Sequence, residues 1–575
     1  MRKSRREFLQ AGTAAAAGAL LPNAHAEQIN QPKAAGARPN IILILADDLG
    51  FSDTAPYGSE VSTPNLSKLA SNGLRFTQFY NNPRCCPSRA SLMTGLYSQQ
   101  AGMGLMTADY GRYPYPGYKG DLSADCVTIA EALRGGGYRT AMVGKWHLTP
   151  DAKDFGKHNW PLQRGFERFF GTIQGAGSYF DPVTLTRDNT PIEATEGFYY
   201  TDAIAENATK YVEEFANQEA PFFLYSAFTA PHWPLHALEA DIAKYKDRYR
   251  NGWDELRRER HAQQLKMGIV KEEWGLTVRD QRVPVWELAS YKDWEMHRMA
   301  VYAAMIERLD RGIGQIVAKV NELGIADNTL ILFMADNGGN FEELDDPGPK
   351  APRPDYMPYK TLDGLPVERG NKPEVLPGSA DTYQSIGIPW GNCANTPFRL
   401  YKHYAHEGGI SSPLIVQWPR AVKSANGITH QIGHETDIMP TCLDVAGIPY
   451  PTASKSGQPL PALAGKSLLP IFHGQTRTNR GPIYWEHEGN SAMRDGKWKL
   501  VSRFPNAWEL YDMEADRTER YDLADRYPER VRAMTASYRA WAKAIGVQPW
   551  PMPETPQGEQ AGAMPSPPYL RHDRL

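Results

Sequence analysis

Asn40-Ile41-Ile42-Leu43-Ile44-Leu45-Ala46-Asp47-Asp48-Leu49-Gly50 sets a run of branched aliphatic residues directly ahead of two carboxylates. An unbroken run of this kind suits a strand buried on both faces, as in a parallel sheet. Ligand sites in open α/β sheets lie at the carboxyl ends of such strands. Adjacent carboxylates there are costly unless a cation or hydrogen-bond donors pair with them, although a helix cap or turn would also use them. Three further runs share the design. Tyr138–Val143 delivers Gly144-Lys145-Trp146-His147, Pro221–Phe228 leads to Ala230-Pro231-His232-Trp233-Pro234, and Asn328–Met334 ends in Ala335-Asp336-Asn337-Gly338-Gly339. Lys145 and His147 are two apart, so an extended backbone points them the same way. Either could also be a solvated surface residue, and His232 could be a satisfied core histidine.

A second stretch carries different chemistry: Cys85-Cys86-Pro87-Ser88-Arg89-Ala90-Ser91-Leu92-Met93-Thr94-Gly95. Pro87 is expected at a first helical position, where its missing N–H costs nothing. A helix N-terminus offers free N–H groups and a positive dipole end to an anion. Arg89 adds a planar fork of donors suited to an oxyanion. The residues themselves describe a nucleophile beside an anion cradle, or a buried cysteine pair at a helix start.

The chain has 575 residues, which suggests two domains. A net charge of -3 gives no bulk argument for nucleic acid or an anionic membrane. Five cysteines give no disulfide framework, and one or two bridges among Cys86, Cys126, Cys393 and Cys442 stay open. Ser4-Arg5-Arg6-Glu7-Phe8-Leu9, an Ala-rich run and Ala24-His25-Ala26 read as a twin-arginine signal over residues 1–26. That apolar run is too short to span a membrane, so no stable insertion is expected and the mature chain is expected in the periplasm.

Thr63–Phe76 reads as a helix ending at Gly73, Thr128–Leu133 as a short one, and Met299–Leu323 as an amphipathic one. Leu235–Met299, with Trp253, Trp274, Trp286 and Trp294, reads as a helical insert near the site mouth. Phe341–Pro397 has no clear period; so long a loop is usually functional or partly mobile. Pro413–Gln417 reads as a strand, and Asp437–Gly447 as a helix capped by its glycine. Beyond Arg477, short alternating segments with an Asp495-Gly496 turn predict an antiparallel sheet, closed by a helix at Pro528–Ala544. The expected division is signal 1–26, catalytic domain 27–476, small antiparallel domain 477–547 and Pro-rich tail 548–575.

Asp47, Asp48, Asp336 and Asn337 are hard oxygen ligands suited to a single Ca²⁺ or Mg²⁺ class ion. No Cys/His cluster has zinc spacing. Arg89, Lys145, His147, His232 and Lys402 add positive charge, so the set suits a small, strongly charged oxyanion ester. In Cys85-x-Pro87-Ser88-Arg89 with Thr94-Gly95, then Gly144-Lys145-Trp146-His147, Ala230-Pro231-His232, Asp336-Asn337-Gly338, and Lys402 before Glu407-Gly408-Gly409, the chain resembles type I sulfatases over roughly residues 38–550. It looks nearest to bacterial arylsulfatases, judged by the Asp47-Asp48 to Cys85 spacing and the 235–299 insert. Cys86 stands where many relatives carry a small or hydroxyl residue.

The resemblance implies an alkaline phosphatase-like fold: a large mixed, mostly parallel sheet flanked by helices, with a small C-terminal antiparallel domain. It implies that a formylglycine-generating enzyme oxidises Cys85 to formylglycine (3-oxoalanine), whose hydrate binds one divalent cation, Ca²⁺ ahead of Mg²⁺, together with Asp47, Asp48, Asp336 and Asn337. Asp336 would accept the nucleophile's proton. His232, with Lys402, would protonate the leaving group. His147 would then drive sulfate release from a sulfated hemiacetal, and Arg89 and Lys145 would hold the diol and the sulfate oxygens. The implied substrate is a small sulfate ester, an aryl sulfate first, with alkyl and carbohydrate sulfates open. Phosphonate and phosphate monoesters are the alternative on the same fold, but such relatives often place His where this chain has Asn337. An inactive, binding-only relative is a further alternative. The twin-arginine machinery carries folded proteins, which suits a residue modified before export.

Overall fold

The computed structural model describes residues 38–150, 156–346, 348, 356–423, 425–478 and 480–554. The expected signal 1–26 and the tail beyond 554 lie outside them. The main strands are β1 (Asn40–Ala46), β2 (Leu74–Tyr80), β3 (Arg139–Lys145), β4 (Arg168–Thr172), β5 (Phe222–Ala227), β6 (Thr329–Ala335) and β7 (Ser411–Gln417). With short flanking strands they form a sheet of eleven strands among the described residues, its long members in the order β2-β7-β6-β1-β5-β3-β4. β6, β1, β5, β3 and β4 run parallel, and β7 is antiparallel to both its neighbours.

β1 sits in the middle of this sheet because both of its faces are aliphatic. Ile42, Ile44 and Ala46 pack into a core that includes helices Tyr200–Ala216 and Lys292–Glu322. Ile41, Leu43 and Leu45 pack on the other side, against helices Cys85–Thr94, Ile129–Gly135 and Ile438–Ala446. Each fully buried side chain of this kind contributes roughly 1.5–3 kcal/mol over leaving it exposed. No described helix is long and apolar enough to cross a membrane.

β2 corrects the expected helix over Thr63–Phe76. The helix is Pro64–Ser71, and the chain turns at Gly73 into a strand buried throughout. Leu74, Phe76 and Phe79 fill the core, while the Arg75 guanidinium donates to Asn426 Oδ1 at 2.9 Å. The long helix begins at Lys292, seven residues before the expected start, and its Met299–Ile306 stretch is buried all round. The 235–299 insert is less helical than expected, with one long helix at Gly252–Met267. Its tryptophans are core: Trp253 and Trp286 meet Trp390 with ring centroids 5.5 and 6.2 Å apart. All five cysteines are free and buried.

At the C-terminal end, β8 (Ile483–His487), β9 (Asn490–Asp495), β10 (Trp498–Ser502) and β11 (Glu509–Asp512) form an antiparallel sheet in sequential order. The helix Pro528–Ile545 packs on it through Met534 and Tyr538. The described start of the tail is packed down as well: Trp550 and Met552 join Tyr113 and Tyr118.

Candidate active site

β6, β1, β5 and β3 are consecutive parallel neighbours, so their carboxyl ends lie side by side. That edge collects Asp336, Asp47 with Asp48, the turn carrying His232, and Lys145 with His147. Successive side chains of a strand point to opposite faces. Asp48 escapes this rule through a left-handed backbone, φ 61°, a conformation that costs about 1–3 kcal/mol in a residue other than glycine. The ligand atoms of Asp47, Asp48, Cys85 and His232 consequently lie within 4.8 Å of one another. His147 (φ 56°), Leu400 (φ 61°) and His403 (φ 83°) share this strained backbone near the same edge. The simple two-residue alternation expected for Lys145 and His147 does not hold, because β3 ends at Lys145.

Cys85 opens the fully buried helix Cys85–Thr94. Arg84 is its N-cap, so Pro87 is the third helical residue and not the first. Ser88 Oγ donates to Asn82 O at 2.9 Å, and the Asn82 amide donates to Glu435 Oε1 at 2.6 Å, which anchors the turn leading in. Cys85 Sγ lies 3.9 Å from Asp48 Oδ1. Burial pushes the thiol well above its ordinary pKa, and Lys145 and Lys402 offset this only in part. The unmodified thiol is therefore protonated and a poor nucleophile.

Cations are paired with carboxylates throughout. Arg89 Nε and Nη2 grip Asp336 Oδ2 at 3.0 and 2.9 Å, and Nη1 donates to Lys145 O at 2.8 Å. Lys145 Nζ donates to Asp47 Oδ2 at 2.6 Å, and Lys402 Nζ to Asp48 Oδ2 at 2.8 Å. Burial alone would raise Asp48, but Lys402 and His232 hold it below the ordinary carboxylate value. Asp336 is pushed up to about 7 by burial and by the charge of Asp47, against the pull of Arg89. It is a carboxyl group poised to exchange a proton near neutrality. His147 is held well below the ordinary histidine value by burial, then by Lys145 and Arg89. Gly175 packs flat on its ring, and a Cβ there would come within 1.9 Å of Cε1. His232 is pushed down to about 3 by burial; its Nδ1 faces Trp233 O at 2.6 Å and its Nε2 faces Asp48 Oδ2 at 3.5 Å.

The donor set fits a divalent cation. Three carboxylates share one buried volume, a repulsive arrangement that a dication relieves. Asp47 Oδ1 and Asn337 Oδ1 are buried acceptors without a hydrogen-bond donor among the described residues. Asn337 Nδ2 donates to Asp48 Oδ1 at 2.7 Å, which turns Asn337 Oδ1 away from that carboxylate. Asp336 is more occupied, since its Oδ1 accepts from Asp48 N at 3.1 Å.

All the residues expected from the sequence meet at this edge. Three neighbours were not anticipated. Asn340 Nδ2 donates to Asp48 Oδ2 at 3.0 Å. Glu342 accepts from Trp233 Nε1 at 2.6 Å, pairs with Arg84 at 3.0 Å and lies 3.5 Å from Lys402 Nζ. Asn340 was within reach of sequence reasoning, three residues after Asn337. Glu342 and Arg84 carried no distinguishing signal.

Comparison with known proteins covers the stretch of chain that builds this site. A sequence profile described as Sulfatase matches residues 39–448, and one described as N-sulphoglucosamine sulphohydrolase, C-terminal, matches residues 398–537. An uncharacterised sulfatase of Schizosaccharomyces pombe is 32% identical over 555 residues, covering 90% of this chain and 95% of that protein. An arylsulfatase of Klebsiella aerogenes is 32% identical over 470 residues, covering 78% and 94%. Among solved structures, Ps i-CgsB in complex with k-i-k-neocarrahexaose superposes with a TM-score of 0.64 at 25% identity, covering 92% of this chain and 98% of the other. The phosphonate monoester hydrolase of Agrobacterium radiobacter has the same fold, with a TM-score of 0.55 at 20% identity, covering 88% and 96%.

Proposed function

This chain belongs to the sulfatase family, and we propose that it hydrolyses aryl sulfates with Cys85 converted to formylglycine. Membership makes it a sulfuric ester hydrolase and implies a divalent metal and formylglycine. The observation that carries the proposal is the seating of Cys85. Its side chain lies at the head of a buried helix, beside Asp48 and among paired cations, where a thiol is inert and a hydrated aldehyde is not.

Asp47, Asp48, Asn337 and Asp336 would hold the cation, Ca²⁺ for preference given hard oxygen donors, and bound there it would polarise the sulfate and acidify the attacking hydroxyl. The modified Cys85 would supply a geminal diol able to attack sulfur and later to release sulfate by C–O cleavage. The remaining work falls to this chain's own groups. Asp336, raised by burial and Asp47, would accept the proton of the attacking hydroxyl. Arg89, Lys145 and Lys402 present N–H donors to the equatorial oxygens as charge develops there. His232, whose Nε2 lies 3.5 Å from Asp48 Oδ2, would donate a proton to the leaving oxygen once the incoming anion moves the ring toward its protonated form. His147, neutral and unpaired at Nδ1, takes the proton that lets sulfate depart.

Replacing His232 with alanine is expected to lower kcat about 10²–10⁴-fold for an alkyl sulfate and much less for 4-nitrophenyl sulfate. An activated phenolate leaves without a proton. Equal losses on both substrates would remove His232 from the acid role.

A carbohydrate sulfate is the second reading, favoured by the likeness to Ps i-CgsB, solved in complex with k-i-k-neocarrahexaose, and by relatives named N-acetylgalactosamine-6-sulfatase. Comparing kcat/KM for an aryl sulfate, a sulfated oligosaccharide and an aryl phosphonate tests the choice. The aryl sulfate is expected to lead; an excess of phosphonate turnover would sink the reading. The twin-arginine motif within residues 1–26 supports export to the periplasm by the twin-arginine machinery, after a formylglycine-generating enzyme has modified Cys85 in the cytoplasm.

A further inference from the structure

We infer that His403, His487 and Glu488 form a second metal site, distinct from the carboxylate site, that takes Zn²⁺. Their ligand atoms lie within 4.8 Å of one another. His403 Nδ1 is 3.3 Å from Glu488 Oε2, and His487 Nε2 is 3.9 Å from Glu488 Oε1. The two imidazoles meet edge to face, with centroids 5.5 Å apart and planes at 81°. Donors about 2.0–2.2 Å from a tetrahedral zinc are roughly 3.4 Å from each other, so small side-chain movements close the set.

The tautomer of His487 is fixed by its surroundings. Nδ1 faces the Gly104 carbonyl at 3.4 Å and serves as the donor. Nε2 therefore carries a lone pair, is buried, and has no hydrogen-bond partner among the described residues. A lone pair aimed at a carboxylate is repulsive unless a cation lies between them. A ring whose other nitrogen donates to a backbone carbonyl is the usual support for a zinc-bound histidine. The third member reaches the cluster through unusual backbone. Glu488 is the first residue of the two-residue turn between β8 and β9, with φ 48°, a place that favours Asn, Asp or Gly. His403 has φ 83°, with its N–H donating to Pro83 O at 2.6 Å.

Two imidazoles and one carboxylate select a borderline metal such as Zn²⁺ over Ca²⁺ or Mg²⁺. The neighbouring Arg84 guanidinium is engaged by Glu342 at 3.0 Å. Both histidines are buried, while the Glu488 side chain is 24% exposed, so the fourth position opens toward solvent. An ion here joins the β8–β9 turn to the residue that follows Lys402. The inference does not depend on which ester the enzyme cleaves.

The test uses the full-length, calcium-loaded protein, freed of transition metals and titrated with Zn²⁺ alone, with bound metal counted by elemental mass spectrometry. Wild type is expected to bind one equivalent of zinc. His487→Ala and Glu488→Gln are each expected to weaken it at least about 100-fold, and Asp48→Asn to keep it. Co²⁺ in place of Zn²⁺ is expected to give tetrahedral visible absorption that Asp48→Asn leaves in place and Glu488→Gln removes, which separates this site from the carboxylate site. Glu488→Gln alters one partly exposed turn residue, and a thermal melt confirms its fold. Wild type that binds no zinc equivalent, or a Glu488→Gln protein that binds zinc as wild type does, would overturn the assignment.

Discussion

Cys85→Ala is expected to lower kcat for sulfate ester hydrolysis by at least about 10⁴-fold while the protein stays folded. The size of the effect follows from what remains. Arg89, Lys145, Lys402, His147 and His232 would still bind and polarise the ester, but no group would attack sulfur from within the site. Water would have to do so among paired charges that are built around Cys85. The fold survives because the substitution removes one sulfur from the start of a helix held elsewhere, by Asn82 and Glu435 at its N-terminus and by the Gly95 cap at φ 69°. A lost buried atom of this size costs about 1 kcal/mol. Steady-state kinetics with 4-nitrophenyl sulfate, beside a thermal melt, separates the two effects. Mass spectrometry of the Cys85 peptide from active protein is expected to show H₂S replaced by O. Near-normal activity in Cys85→Ala, or an unmodified thiol in fully active protein, would refute the formylglycine mechanism.

The site was more legible in the sequence than the fold around it. Strand runs that end in charged residues mark themselves, because the aliphatic run and the functional tip are adjacent in the chain. Asp47-Asp48 after β1 and Asp336-Asn337 after β6 are of this kind, and parallel pairing of β1 with β6 does the rest. Sequence does not reveal how the backbone aims a side chain. The left-handed turn at Asp48 makes its carboxylate converge with that of Asp47, and nothing in the residue type announces it. β2 was lost for another reason. Its residues continue the helical pattern that begins at Pro64, and only the turn at Gly73 separates the two. The insert's tryptophans illustrate the limit of composition. Aromatic residues in a polar stretch suggest a binding mouth, but here Trp253, Trp274 and Trp286 share a core with Trp390, and the insert's Arg260 braces Asp53 at 2.8 Å, near the end of β1. Charged partners such as Glu342 were illegible because their meaning lies in long-range contacts.

Lys499→Met is expected to destabilise the protein by about 3–5 kcal/mol and to reduce sulfatase activity at temperatures where wild type is stable. Lys499, on β10, is fully buried between two carboxylates, with Nζ 2.9 Å from Glu407 Oε1 and 2.7 Å from Glu519 Oε1. Arg517 completes the group, its Nε 3.1 Å from Glu407 Oε2, and every side chain in it is 0% exposed. Two positive and two negative charges pair directly there, and the Arg494 guanidinium adds to the field on Glu407. Methionine fills a similar volume but leaves one negative charge uncompensated where water cannot reach it. The sign with pH follows from Glu407. Burial would raise its carboxyl, yet Lys499 and Arg517 hold it below the ordinary 4.5, so its contribution is present above that value and is lost on acidification below it. Wild type is therefore expected to lose urea resistance below about pH 4.5 more steeply than Lys499→Met does. Adding Glu519→Gln to Lys499→Met restores neutrality and is expected to recover part of the loss, whereas a single-variant loss under about 1 kcal/mol would mean that these charges are not desolvated. The link to activity is geometric. Glu407 begins the short helix Glu407–Ile410, five residues after Lys402, whose N–H donates to Gly339 O at 3.2 Å beside Asp336 and Asn337. The small C-terminal sheet thus grips the loop that delivers Lys402, and weakening the grip should lower kcat before it unfolds the protein.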